Sequence, residues 1–157
     1  MASTATFGRL APAPTSWPAS LLVVDDAVIH STIIARIGDK TGFQTKTAAS
    51  YEEAVKLLGE NSFDCITLDL GLGRHAGVEV LRHLATLECK APIIIISGSD
   101  PTIAQETAHF ARSLKLNIRE SVPKPVDLAL LRYSLERLRA QREDATAAHD
   151  IIRQHAA

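Results

Sequence analysis

Asp64-Cys65-Ile66-Thr67-Leu68-Asp69-Leu70-Gly71-Leu72-Gly73-Arg74-His75-Ala76-Gly77 is the stretch on which the fold turns. Cys65, Ile66 and Leu68 make an apolar run of strand length. A loop with three glycines follows, and Val78-Glu79-Val80-Leu81-Arg82-His83-Leu84 continues as an amphipathic helix. Asp69 then stands at the carboxyl end of a strand, where open parallel α/β sheets gather their ligands. A carboxylate in that position is costly to desolvate unless a cation or hydrogen bonds compensate it. The flanking sequence therefore has to supply partners for Asp69.

On the N-terminal side, Ser20-Leu21-Leu22-Val23-Val24 is a continuous apolar strand that stops at Asp25-Asp26. The spacing predicts a helix over 28–40, with Ile29, Ile33, Ile34 and Ile37 as its buried stripe and Thr41-Gly42 closing it. Residues 43–47 alternate like a half-exposed strand. Ser50 and Glu53 have the spacing of a capping box at the start of the next helix.

On the C-terminal side, Pro92-Ile93-Ile94-Ile95-Ile96 is apolar on both faces, as a central parallel strand covered by helices would be, and it ends at Ser97. A fourth helix is expected over 102–114 and a fifth strand over 118–122, ending at Pro123-Lys124-Pro125. A last helix from about Val126 carries Leu128, Leu131, Leu135 and Leu138. Five strands alternating with five helices imply a flavodoxin-like, doubly wound α/β fold with a five-stranded parallel sheet in the order 2-1-3-4-5.

The chain has 157 residues, 46% of them hydrophobic, and a net charge of −1, which suits one domain with a single core. That balance gives no electrostatic reason to invoke nucleic acid or an anionic membrane. Cys65 and Cys89 are too few for a disulfide framework, and Cys65 falls inside a core strand, so reduced thiols in a cytoplasmic protein are the simpler reading. The longest apolar run, near Ile93 to Ile96, is too short to span a bilayer, and no secretory signal opens the chain. Residues 1–19, with Pro12, Pro14 and Pro18, read as a flexible extension in which Trp17 either packs on the domain or lies free. Residues 20–140 form the domain, and 141–157 a helical extension or tail.

Strands one, three, four and five leave Asp25-Asp26, Asp69, Ser97 and Lys124 at their carboxyl ends, which in a parallel sheet share one edge. Neighbouring strands lie about 4.8 Å apart. Carboxylates crowded to about 5 Å repel by roughly 3 kcal/mol per pair at an effective dielectric near 20. Removal of Asp26 is thus expected to relieve repulsion in the metal-free protein. Oxygen-only ligands on an open loop suit Mg²⁺, while Lys124 can pair with a remaining carboxylate oxygen and Ser97 can donate a hydrogen bond. A carboxylate nucleophile, a metal, a lysine and a hydroxyl make a set fit for phosphoryl transfer. The six histidines, His30, His75 and His83 among them, show no metal-ligand pairing and are expected on exposed faces.

Val23-Val24-Asp25-Asp26, Leu68-Asp69 with Gly77 beyond it, Ile96-Ser97-Gly98 and Pro123-Lys124-Pro125 resemble, in order and spacing, the response-regulator receiver domain of two-component signalling. The resemblance covers roughly residues 20–140 and implies a switch, not an enzyme acting on other substrates. Asp69 would be the phospho-acceptor. Asp26 would ligate Mg²⁺ directly, Asp25 mostly through water, and the carbonyl of Gly71 would add a ligand. Ser97 and Lys124 would contact the phosphoryl oxygens, and Gly71 and Ser99 would stand where such domains admit the hydrolytic water. The partner implied is a sensor histidine kinase or a histidine phosphotransfer protein.

Three positions depart from the family pattern. Ser121 stands where an aromatic switch residue is usual, Gly73 replaces a proline common in the acceptor loop, and Gly98 takes a place where alanine is frequent. Ser97 to Pro101, with Ala111 to Leu114 and Leu116-Asn117, also resembles receivers fused to EAL-type phosphodiesterases. Two other functions compete. Gly71 to Gly77 loosely mimics a dinucleotide fingerprint, but it follows the third strand, and Asp69 would oppose a pyrophosphate. A receiver-like docking module without phosphorylation is the other. For output, the sequence suggests a homodimer through the helix 4–strand 5–helix 5 face. Leu128 and Leu131 would pack on the sheet, and Leu135 and Leu138 form either the dimer contact or a partner surface, until Arg142 interrupts the seam. No recognition helix or basic stripe for DNA is apparent.

Overall fold

The computed structural model describes residues 18–73, 76–98 and 100–156. The expected extension up to residue 17, with Trp17, and the loop residues His75 and Ser99 lie outside the described residues.

Ten elements alternate along the chain: β1 (Ser20–Val24), α1 (Val28–Lys40), β2 (Gln44–Ala48), α2 (Tyr51–Glu60), β3 (Cys65–Asp69), α3 (Ala76–Thr86), β4 (Ile93–Ser97), α4 (Pro101–Ser113), β5 (Ile118–Pro123) and α5 (Leu128–His155). The strands form one parallel sheet in the order β2-β1-β3-β4-β5, as the alternation of elements requires. Chain order reverses between β1 and β3. Val24 pairs with Leu68, Asp69 with Ile96 and Ser97 with Pro123, so the carboxyl ends of these strands stay level.

Strand side chains alternate between two apolar layers. Leu22, Val24, Ile66, Leu68, Ile93 and Ile95 pack with Ala54 of α2, Val80, Leu81 and Leu84 of α3, and Ala108 and Ala111 of α4. Leu21, Val23, Cys65, Ile94, Ile96 and Val122 pack with Ile34 of α1 and with Leu131 and Leu135 of α5. Covering both faces is what buries β3 and β4 along their whole length. Short polar side chains start α2, α4 and α5: Ser50 Oγ accepts from Glu53 N–H at 3.1 Å, Asp100 from Thr102 at 2.9 Å, and Asp127 from Ala129 at 3.0 Å. Glu53 reaches back to Ala49 N–H, one residue ahead of the cap.

Two helical stripes differ from expectation. In α1 the buried residues are Ser31, Ile34 and Gly38, while Ile29 is 80% and Ile33 37% exposed and Ile37 only borders the core. The small residues decide this. Gly38 lies so close to the sheet that an added Cβ would fall 2.6 Å from Leu21 Cδ2 and 2.7 Å from Thr45 Oγ1, and only a helix rotated onto Ser31 and Gly38 can approach that far. In α5, Leu131 and Leu135 are the fully buried pair, Leu138 packs beside them, and Leu128 is exposed. Leu135 is therefore core and is not available as a dimer contact. The helix starts at Leu128, two residues later than expected, and runs to His155. Arg142 ties it to the sheet through Asp64 at 2.9 Å. Among the described residues no helix is long and apolar enough to cross a membrane.

Candidate functional site

Asp25 and Asp69 are both 2% exposed at the carboxyl ends of β1 and β3. A buried carboxylate needs donors around it. Asp69 Oδ1 accepts from the N–H of Gly71 at 2.8 Å, and its Oδ2 accepts from Lys124 Nζ at 2.6 Å. Lys124 reaches it because its own N–H is pinned to the carbonyl of Ser97 at 2.8 Å, which carries the end of β5 beside β4. The Lys124–Pro125 peptide is cis. Asp25 Oδ1 accepts from the N–H of Ala27 at 2.9 Å, and its Oδ2 pairs closely with His30 Nδ1.

Asp69, Lys124, Gly71 and Asp25 are thus brought to one edge, and Ser97 is buried in the same edge at the end of β4. Ser97 and Ser121 line a groove of about 350 Å³ with Gly98, Pro101, Ala104, Gln105 and Pro123. Ser121 itself is exposed, so this groove is open where the family pattern would place an aromatic ring. Gly71 is exposed at the rim. A Cβ there would come 3.2 Å from Asp69 Oδ1 and 3.8 Å from Lys124 Nζ, so a larger residue would press on the Asp69–Lys124 pair.

Asp26 is the exception, because it is exposed, and the side chains whose ligand atoms lie within 4.8 Å of one another are Asp25, His30 and Asp69. The expected crowding of three carboxylates is replaced by two carboxylates and an imidazole. His30 is the residue that reading the sequence missed. It lies five residues after Asp25 and across the loop–helix junction, a spacing that no single periodicity covers. The usable signal was its place in the first turn of α1, since helical side chains tilt toward the N-terminus and hence toward this sheet edge.

The glycine loop serves the carboxylate and offers little to a dinucleotide. The Gly71 N–H is taken by Asp69, Leu72 is buried in the core, and an added Cβ at Gly77 would stand 3.2 Å from Leu70 Cα. Paired buried carboxylates within reach of one cation fit the hard-oxygen donor set of Mg²⁺.

Comparison with known proteins agrees with this fold. The sequence matches the response regulator receiver domain over residues 21–136. It is 32% identical over 105 residues to the regulatory protein VirG of Agrobacterium fabrum, covering 67% of this chain and 40% of that protein. It is 28% identical over 127 residues to the transcriptional regulatory protein ZraR of Salmonella typhimurium, covering 81% of this chain and 28% of that one. The chain therefore spans less than half the length of these curated relatives. Among solved structures, a response regulator from Colwellia psychrerythraea superposes with a TM-score of 0.71 at 25% identity, over 80% of this chain and 99% of that one. A Burkholderia pseudomallei response regulator, solved with a phosphorylated aspartic acid, a calcium ion and citrate, gives 0.63 at 25% identity, over 83% and 74%. The chain belongs to the response regulator receiver domain family of two-component signalling.

Proposed function

We propose that the chain is a phosphorylation-activated switch in which Asp69 takes a phosphoryl group from a phosphohistidine on a sensor histidine kinase or a histidine phosphotransfer protein. The observation that carries this reading is the buried Asp69 carboxylate held by Lys124 Nζ at 2.6 Å and Gly71 N–H at 2.8 Å, on the edge shared with Asp25 and Ser97. In the transfer, an Asp69 oxygen forms the new O–P bond as the donor's N–P bond breaks. The electron pair stays on the donor imidazole, which then takes a proton from water. Lys124 balances charge on the acceptor and the incoming oxygens, and the Ser97 hydroxyl donates to one of them. Mg²⁺ would be held by Asp25 and Asp69, with Asp26 and the Gly71 carbonyl as further ligands, and would neutralise phosphoryl charge.

Exposed Val28 and Ile29, at the start of α1 beside Asp25, give the donor protein an apolar surface next to the pocket. A cytoplasmic location, suited to the free thiols of Cys65 and Cys89, belongs to the same reading. The phosphorylated aspartic acid in the Burkholderia pseudomallei relative supports the chemistry. What VirG and ZraR regulate is a property of those longer proteins.

Mass spectrometry after exposure to acetyl phosphate and Mg²⁺ tests the proposal. One phosphoryl adduct is expected, lost in Asp69→Ala. A wild-type protein without an adduct would leave a docking module with a receiver fold.

A further inference from the structure

His30 has no place in the phosphoryl-transfer scheme, yet it reaches into the pocket. Its Nδ1 faces Asp25 Oδ2, and its ligand atom lies within 4.8 Å of those of both Asp25 and Asp69. Donors bound to one ion at about 2.0–2.2 Å stand at most about twice that distance apart, so this trio closes on a cation by side-chain rotations in which His30 gives up its direct contact with Asp25.

The surroundings hold the donors in place. The Ala27 N–H fixes Asp25 Oδ1, Gly71 N–H and Lys124 fix Asp69, and β1 and β3 are paired neighbours up to Val24 and Leu68. His30 sits in the first turn of α1 with 24% of its side chain exposed, so this side of the trio meets solvent. Mg²⁺ takes oxygen ligands and keeps its waters, whereas imidazole suits Zn²⁺, Ni²⁺ and Co²⁺.

We propose that Asp25, His30 and Asp69 form a two-carboxylate, one-imidazole site that binds a nitrogen-preferring divalent transition ion through His30. The inference rests on the reading of this pocket as the metal-assisted acceptor site of the switch. It gives the pocket a second class of occupant, and His30 becomes the residue that widens the preference for it over Mg²⁺.

Isothermal titration with Co²⁺, Zn²⁺ and Mg²⁺ tests it on the full chain, comparing wild type with His30→Ala, His30→Gln and, as a control, the remote His83→Ala. Carboxylates alone already favour transition ions over Mg²⁺, so the ratio within one protein decides nothing. The change on removing His30 does. Loss of at least about tenfold in Co²⁺ and Zn²⁺ affinity is expected in both His30 variants, with Mg²⁺ binding retained and His83→Ala like wild type. The Co²⁺ absorption bands of the wild-type complex are also expected to shift in His30→Gln, which keeps a donor for Asp25 and so guards against misfolding of the alanine variant.

Unchanged Co²⁺ and Zn²⁺ affinity in the His30 variants would overturn the proposal and leave His30 as a side-chain partner of Asp25 alone. The same proteins treated with acetyl phosphate and Mg²⁺ separate the two readings. A wild-type adduct together with unchanged transition-ion affinity sinks the His30 site alone. No adduct together with a tenfold loss sinks the switch and leaves the site standing.

Discussion

Asp25 and Asp69 face a desolvation cost that the protein meets locally, with Lys124 and Gly71 N–H on one and His30 and Ala27 N–H on the other. Asp26, exposed beside them, adds little to that balance. Asp26→Asn is therefore expected to leave the metal-free thermal midpoint where it is, within the roughly ±0.5 kcal/mol of an ordinary surface change. A clear rise in the midpoint would restore the picture of three repelling carboxylates. Cys65 carries a separate consequence. Burial, first of all, pushes its thiol from 9.0 up to about 12, with the Ile66 backbone opposing and Asp64 adding to the rise. Above pH 9.0 the unfolded chain releases a proton that the folded chain keeps, so the unfolded state binds fewer protons and stability falls with rising pH. The slope approaches about 1.4 kcal/mol per pH unit. Urea melts on either side of that pH, with Cys65→Ala as the variant that loses the slope, measure it. A slope unchanged in Cys65→Ala would assign the alkaline loss to other groups.

At the scale of elements, α5 shows what an apolar pattern does and does not specify. Leu131 and Leu135 are four apart, pack under the sheet with Ile34 and Val122, and have essentially no exposed surface. Leu135→Ala is expected to lower stability by about 2–5 kcal/mol in urea denaturation. A loss under about 0.5 kcal/mol would mean a solvent-facing position after all. The strands were legible in the sequence because Leu21 to Val24 and Ile93 to Ile96 are apolar on both faces, which only a covered parallel strand tolerates. The edge that carries Asp25, Asp69, Ser97 and Lys124 was legible as well, since a parallel sheet sends every strand end one way. The rotation of α1 was not. Ile29, Ile33 and Ile37 keep helical spacing as well as Ser31, Ile34 and Gly38 do, and the choice between the faces depends on how closely Leu21 and Thr45 let the helix approach. His30 escaped notice because that same rotation aims it at Asp25.

For the whole molecule, the α4–β5–α5 face remains the surface proposed for a homodimer, but with different residues in contact. Leu135 belongs to the core, whereas Leu130 and Tyr133 are 60% and 58% exposed, one helical turn apart. They stand beside Ser134, whose hydroxyl donates to Glu120 of β5 at 2.7 Å, so a shift of β5 would be passed to this part of α5. Ser121, exposed on the same strand and lining the groove next to Ser97, offers no ring to carry that shift. Coupling between Asp69 and the face would then run through the backbone bond from Lys124 to Ser97 and the register of β5, a route that needs no aromatic rotamer change. Phosphorylation is expected to tighten a dimer through this face. Light scattering on the unmodified and the acetyl-phosphate-treated protein should show a mass increase on phosphorylation, abolished in Tyr133→Glu and Leu130→Glu, which leave the core intact. Because both positions are exposed, the variants should still take up the phosphoryl group, and their adducts in mass spectrometry separate lost association from lost phosphorylation. A monomer in every state would sink the dimer and leave this face to a partner of another kind.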